Sequence, residues 1–217
     1  MTAFLHSIAY GSWILHALVL LPLIGVVPVL LGPEATAKRT ALVITTLEFL
    51  LSVGLWWALD PGFGTLQLIS DSPWIPAWGI SYRVGLDGIS LVMVLLTTAL
   101  MPLSVLASWR YITQRERGFY ALMLTLLTGM VGVFIALDLF VFYIFFEVML
   151  IPMYFIIGIW GGERRLYASI KFVIYTLVGS LLMLVAILYL YAQWHVVGGT
   201  VSFDYTQLSH LTLPAEA

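Results

Sequence analysis

Six apolar runs of eighteen or more residues, each bounded by charge, proline or glycine, leave this chain essentially one kind of fold. A helix rising ~1.5 Å per residue needs about twenty residues to cross ~30 Å of hydrocarbon. Lipid offers the backbone no hydrogen-bond partner, so runs of this kind must satisfy their own N–H and C=O groups as helices. The spans read as about Trp13 to Leu31, Thr40 to Leu59, Gly88 to Trp109, Phe119 to Leu137, Asp138 to Trp160 and Ala168 to Ala192. With 62% hydrophobic and 9% charged residues, the chain is an all-α polytopic membrane protein. It carries no cysteine, which excludes disulfides, thiolate nucleophiles and cysteine-ligated zinc or iron–sulfur centres, and points away from redox chemistry in this chain. No Lys or Arg precedes Lys38, so the first run lacks the basic flank of a signal peptide and reads as a retained span.

The connections carry the remaining information. Residues 60–86, with DPGFG and DSPWIPAWG, show no helical period and read as an ordered loop or a pair of short extended segments. Asp87 followed by Ser90 predicts a helix N-cap, and Asp138 predicts another at the very tight turn between the fourth and fifth spans. The fourth span has Ala121, Thr125, Thr128, Gly129, Gly132 and Ala136 near one face, a surface on which a neighbouring helix can approach closely; the sixth has Thr176, Gly179 and Ser180 on one side. Lys171 falls in the first turn of the sixth span, and the tail from His195 reads as a loop. Eight of the nine basic residues flank the connections after spans one, three and five, which makes those connections cytoplasmic and places the N-terminus outside.

The chemistry centres on Glu147. In a helix from Asp138 to Trp160 it lies ~14 Å from one end, near the bilayer centre, where an ionised carboxylate costs about 3 kcal/mol or more. Phe140, Tyr143, Ile151, Tyr154 and Gly158 share its face, and Pro152 frees the carbonyl of Val148 beside it, which predicts a kink. Glu48 is a second mid-depth carboxyl, with Thr45 and Ser52 placed to hydrogen-bond it from its own helix. Lys171 can snorkel to the headgroups, and Arg164 and Arg165 read as orientation charges. His6, His16, His195 and His210 lack metal-ligand spacing, with His16 read as a packed core residue, and no metal site is expected. Gly198 and Gly199 form no phosphate loop, and nothing indicates nucleic-acid binding. A mid-membrane protonatable group among close-packed, partly broken helices is how a proton pathway is built. No lysine lies at mid-depth in these six spans to modulate it.

FFEVMLIPMYFIIGIWGG, then KFVIYTLVGSLLML from Lys171, resembles the fifth and sixth helices of the chain M subunit of proton-pumping NADH:quinone oxidoreductase, respiratory complex I. LDGISLVMVLLTTALMPLSVLASW, from Leu86, resembles the third. The resemblance implies a partial antiporter-like fold from a fourteen-helix subunit of two inverted five-helix repeats, each a proton half-channel. Glu147 then matches the family's essential fifth-helix glutamate, whose charge a lysine of the broken seventh helix modulates. The sequence ends at Ala217, before that helix would begin, so the expectation is an N-terminal fragment. Its implied organisation is a three-helix region (1–117, with the outer loop 60–86), the first three helices of the channel repeat (118–195) and an outer loop or tail (196–217). The implied setting is the cell inner (cytoplasmic) membrane, with other complex I membrane subunits, lipid and protons as partners. FMN, iron–sulfur clusters and quinone would be bound by other subunits and none by this chain. A multisubunit cation/proton antiporter, a membrane-bound hydrogenase and a non-transporting truncated scaffold are the alternatives.

Overall fold

The computed structural model describes residues 7, 9–60, 65–197 and 202–211. His6, the pair Gly198 and Gly199, and parts of the 60–86 connection and of the tail lie outside the described residues. Six long helices form: α1 (Tyr10–Leu31), α2 (Glu34–Val53), carried past Gly54 by the one-turn α3 (Leu55–Ala58), α4 (Gly88–Ser108), α5 (Glu116–Ile135), α6 (Leu139–Trp160) and α7 (Arg165–Val196). A one-turn α8 (Tyr205–Leu208) follows. All six spans, the second running from Glu34 to Ala58, are apolar and long enough to cross a membrane.

The helices are organised around α5. Of its most apolar window 61% is buried, against 11% for α6 and for α7. It packs on α1, α2, α4 and α6, while α7 packs mainly on α6. The sequence pattern explains the core: α2 buries Ala37, Ala41, Thr45, Glu48 and Ser52, and α4 buries Leu91, Val94, Thr98, Met101 and Val105, each a single stripe at three- and four-residue spacing. The small-residue surface of α5 is used for close approach. A Cβ on Gly129 would lie 2.6 Å from Met149 Cγ and 3.3 Å from both Met149 N and Phe145 O, all on α6. A Cβ on Gly132 would meet the Phe145 ring at 2.3 Å. On α7 the expectation is half met, since Ser180 is buried but nothing stands within 4 Å of a Cβ on Gly179.

Three boundaries differ from the sequence reading. The 60–86 connection contains an antiparallel hairpin, β1 (Gln67–Ile75) and β2 (Ile80–Leu86), so the fold is mostly rather than wholly helical. Its prolines and bulges hide the two-residue alternation, and Gly79 closes the turn at φ 66°, where other residues are strained. Residues 136–138 end the fourth helix early by pairing with β2: Leu137 N donates to Arg83 O at 2.9 Å. The tail pairs next to them, with Leu139 N on Phe203 O and Tyr205 N on Leu137 O, both 2.9 Å. The sixth helix is 32 residues long, ~48 Å, so Lys171 sits in its second turn and His195 in its last rather than in a loop. Between Gly179 and Gly198 there is no glycine or proline to stop it.

Charge separates by end. The hairpin end carries Asp71, Arg83, Asp138 and Asp204, with Arg83 paired to Asp204 and 3.9 Å from Asp71. At the other end the Glu34 carboxylate accepts from Glu116 N at 2.9 Å, Lys38 approaches Glu116 at 3.5 Å, and the Trp160 indole donates to Gln114 O at 2.8 Å. Both expected caps form: Asp87 accepts from Ser90 N at 2.7 Å, and Asp138 from Phe140 N at 2.9 Å and Val141 N at 3.1 Å.

Candidate functional site

Glu147 lies in the middle of α6, where that helix faces both α5 and α7. On the α5 side, Phe145 and Met149 bracket it in sequence and are the residues that seat against Gly132 and Gly129. The absence of side chains at two α5 positions therefore sets how deeply the carboxyl turn of α6 sits. On the α7 side Glu147 lines a groove of about 510 Å³ with Leu150, Ile151, Tyr154, Ile170 and Ile174. The walls are almost entirely apolar, and carboxylate oxygen Oε1 is buried without a hydrogen-bond partner. One turn earlier on the same face of α6 stands Tyr143. The helix continues through Pro152 to Trp160 as one element.

Glu48 is placed elsewhere. It is fully buried in the α2 stripe, and both carboxyl oxygens lack partners. The local hydrogen bonds anticipated from Thr45 and Ser52 do not form. Thr45 donates to Ala41 O at 2.9 Å, while Ser52 bonds Phe49 O at 2.8 Å and the Thr98 hydroxyl at 2.7 Å. Helix α2 packs on α1, α4 and α5, whereas α6 packs on α5 and α7, so the two glutamates are not brought together. An unpaired ionised carboxylate in such a place costs several kcal/mol, and the neutral acid is the form these surroundings tolerate. Glu48→Leu is accordingly expected to raise stability by about 1–3 kcal/mol, read as a higher melting temperature in detergent; a lower one contradicts this.

Asp138 is a structural pivot. Besides capping α6 it accepts from Ser81 N of the hairpin at 3.0 Å. Burial pushes its carboxyl above the usual range although three backbone donors pull the other way, and the nearby Asp204 charge adds to the rise. Asp138→Ala removes the cap and strands the Ser81 N–H; the expected loss is about 2–3 kcal/mol, measurable as a lower melting temperature. His16 is not a core residue: it is partly exposed, and its Nε2 sits 3.0 Å from the Ser70 hydroxyl of the hairpin. Lys171 lies 5.7 Å from the Tyr167 ring on an exposed flank. Among the described residues no group of three His, Cys, Asp or Glu could hold a metal ion. The Arg83–Asp204 pair was not legible in sequence.

Residues 17–133 match the family model of NADH-ubiquinone oxidoreductase chain 4, amino terminus, over more than half of the chain. The chain belongs to the chain 4 family. Residues 136–214 match a second model, NADH:quinone oxidoreductase/Mrp antiporter, TM. Among chain 4 relatives, NADH-quinone oxidoreductase subunit M of Rhodobacter capsulatus is 44% identical over 187 residues, 84% of this chain and 35% of that protein. A chain of respiratory complex I from Thermus thermophilus with bound NADH superposes with a TM-score of 0.77 at 31% identity, covering 93% of this chain and 40% of that one. A chain of the Mrp complex from Dietzia sp. DQ12-45-1b shares the fold, with a TM-score of 0.72 at 20% identity over 86% of this chain and 20% of its own length. This chain thus spans about a third of the length of the curated relatives it matches.

Proposed function

We propose that this chain is part of a proton-translocating membrane subunit of an NADH:quinone oxidoreductase, with Glu147 as the group that takes up and releases the proton. The observation that carries the reading is a carboxyl in the middle of a membrane-spanning helix, on the wall of an apolar groove, with one oxygen unpartnered, in a chain of the chain 4 family. Such a group changes its proton affinity when a charge approaches or withdraws, about 1.4 kcal/mol for each tenfold change. Quinone reduction in other subunits supplies that work. In this reading the chain lies in the cell inner membrane with its N-terminus and hairpin outside and its basic end in the cytoplasm. Its partners are other membrane subunits, lipid and protons, and FMN, iron–sulfur clusters and quinone belong to other subunits. Glu48 is a second protonatable carboxyl, separate from the Glu147 groove. Residues 1–117 with the loop 60–86 support residues 118–195, which form the start of the channel repeat.

A cation/proton antiporter subunit would share this fold, and its partners tell the two apart. An affinity-tagged chain, extracted from its native membrane in mild detergent, is expected to purify with flavin absorbance and NADH oxidation. Purification with antiporter subunits, or with nickel–iron hydrogenase activity, would overturn the assignment.

A further inference from the structure

Helix α7 has an inner and an outer face. Ser169 and Ser180 are buried on the inner one, and Ser169 stands 3.4 Å from where a Cβ on Gly158 of α6 would lie. On the opposite side Tyr167, Ile174, Tyr175, Val178 and Leu182 are 55–82% exposed. These residues, with Ile170, Lys171 and Gly179, line an apolar trough of about 690 Å³. Gly179 leaves it open, since a Cβ there would meet nothing within 4 Å. At the start of the helix the trough runs into a second hollow of about 590 Å³, which shares Tyr167, Lys171 and Tyr175 with it and is lined also by Arg164 and Arg165.

Three cations therefore stand at one end of an apolar trough. Among the described residues none of the three is in a salt bridge, and Glu163, the one carboxylate between Glu147 and Asp204 in sequence, lines neither hollow. Arg165 is partly committed, donating through Nη1 to Ile159 O at 2.8 Å. Lys171 lies 5.7 Å from the Tyr167 ring centre, and Arg164 is exposed ahead of the first turn. The two arginines mark where α7 enters the membrane; Lys171, ~9 Å further along, reaches back toward that level on its long stem. From Lys171 to Leu182 is ~17 Å of helix, close to the ~15 Å of hydrocarbon in one leaflet. The trough ends there, at the middle of α7, whereas a neighbouring protein helix would need a surface that crosses both leaflets. A basic cluster beside a span, followed by an apolar channel one leaflet deep, fits a phosphate headgroup and its acyl chain.

We propose that this face of α7 binds an anionic phospholipid, its phosphate held by Arg164 and Lys171 with Arg165 beside them, and one acyl chain lying along Ile174, Val178 and Leu182. Each cation near the surface strengthens the attraction by about fivefold. The site stands whether or not Glu147 carries the proton, because the Glu147 groove meets this trough only at Ile170 and Ile174.

The test uses the assembled enzyme, purified with its partner subunits and placed in phosphatidylcholine nanodiscs. A lipid probe with a photoactivatable diazirine on its acyl chain is included, with either a phosphatidylglycerol or a phosphatidylcholine headgroup, and cross-links are mapped by mass spectrometry. The phosphatidylglycerol probe is expected to label residues 167–182 about tenfold more than the phosphatidylcholine probe. Arg164→Gln combined with Lys171→Gln, which leaves Arg165 on Ile159 O, is expected to abolish that preference. Equal labelling of the parent enzyme by the two probes overturns the proposal, as does a preference that survives in the double variant. Labelling by neither probe shows that protein covers this face and overturns it as well. The comparison of probes on the parent enzyme decides the matter even where the double variant does not assemble.

Discussion

Gly129→Val is expected to destabilise the protein by about 3 kcal/mol or more and to displace α6 from α5. At this position α6 approaches with its backbone. The first carbon of any side chain would stand 2.6 Å from Met149 Cγ and 3.3 Å from two backbone atoms, Met149 N and Phe145 O. Met149 Cγ lies too near its own backbone to swing aside freely, so relief requires the helix to move. A β-branched residue adds two further carbons in the same confined space. Gly132→Ala meets the Phe145 ring at 2.3 Å, with its Cγ at 2.4 Å, which turning the ring does not clear. Its expected cost is about 1–3 kcal/mol, the usual range of overpacking. Thermal melts of purified membranes or detergent extracts rank the variants; equal melting temperatures for Gly129→Val and the parent would show that α6 does not seat as described. Because Phe145 and Met149 flank Glu147, Gly129→Val is also expected to depress proton uptake in whatever protein still assembles.

Much of the architecture was legible because lipid leaves so few choices. The apolar runs gave six spans, and Asp87 and Asp138 cap the helices they precede. The glycine face of α5 also proved to be a contact surface. What escaped was set by partners distant in sequence. The hairpin forms because β2 has strand-like neighbours on both sides, one of them the turn at residues 136–138, and those rungs are invisible in a window of local sequence. The sixth helix overran its apolar stretch because polarity does not end a helix, while glycine and proline do. At the site, both Glu147 and Glu48 are carboxyls at mid-depth, and Pro152 and the resemblance already singled out Glu147. Packing separates them further: one lines a groove at the edge of the bundle, the other is sealed in the stripe that α2 turns to its neighbours. Hydroxyls three and four residues from Glu48 suggested local hydrogen bonds, yet helix backbone carbonyls took both donors.

The central claim concerns the proton at Glu147. Glutamine keeps the shape and the hydrogen-bonding size of the side chain but cannot take up or release a proton, so it removes the carrier while sparing the packing against Gly129 and Gly132. Aspartate keeps the chemistry on a stem one methylene shorter. Since no other carboxyl lines the groove, no neighbouring carboxyl can take its place. The most direct measurement is proton uptake by sealed native membrane vesicles fed NADH, with NADH oxidation recorded alongside, for the parent, Glu147→Asp and Glu147→Gln. The prediction is at least a tenfold fall in uptake for Glu147→Gln, close to the passive leak, with partial retention in Glu147→Asp. Uptake in Glu147→Gln equal to that of the parent, at the same rate of NADH oxidation, would contradict the account.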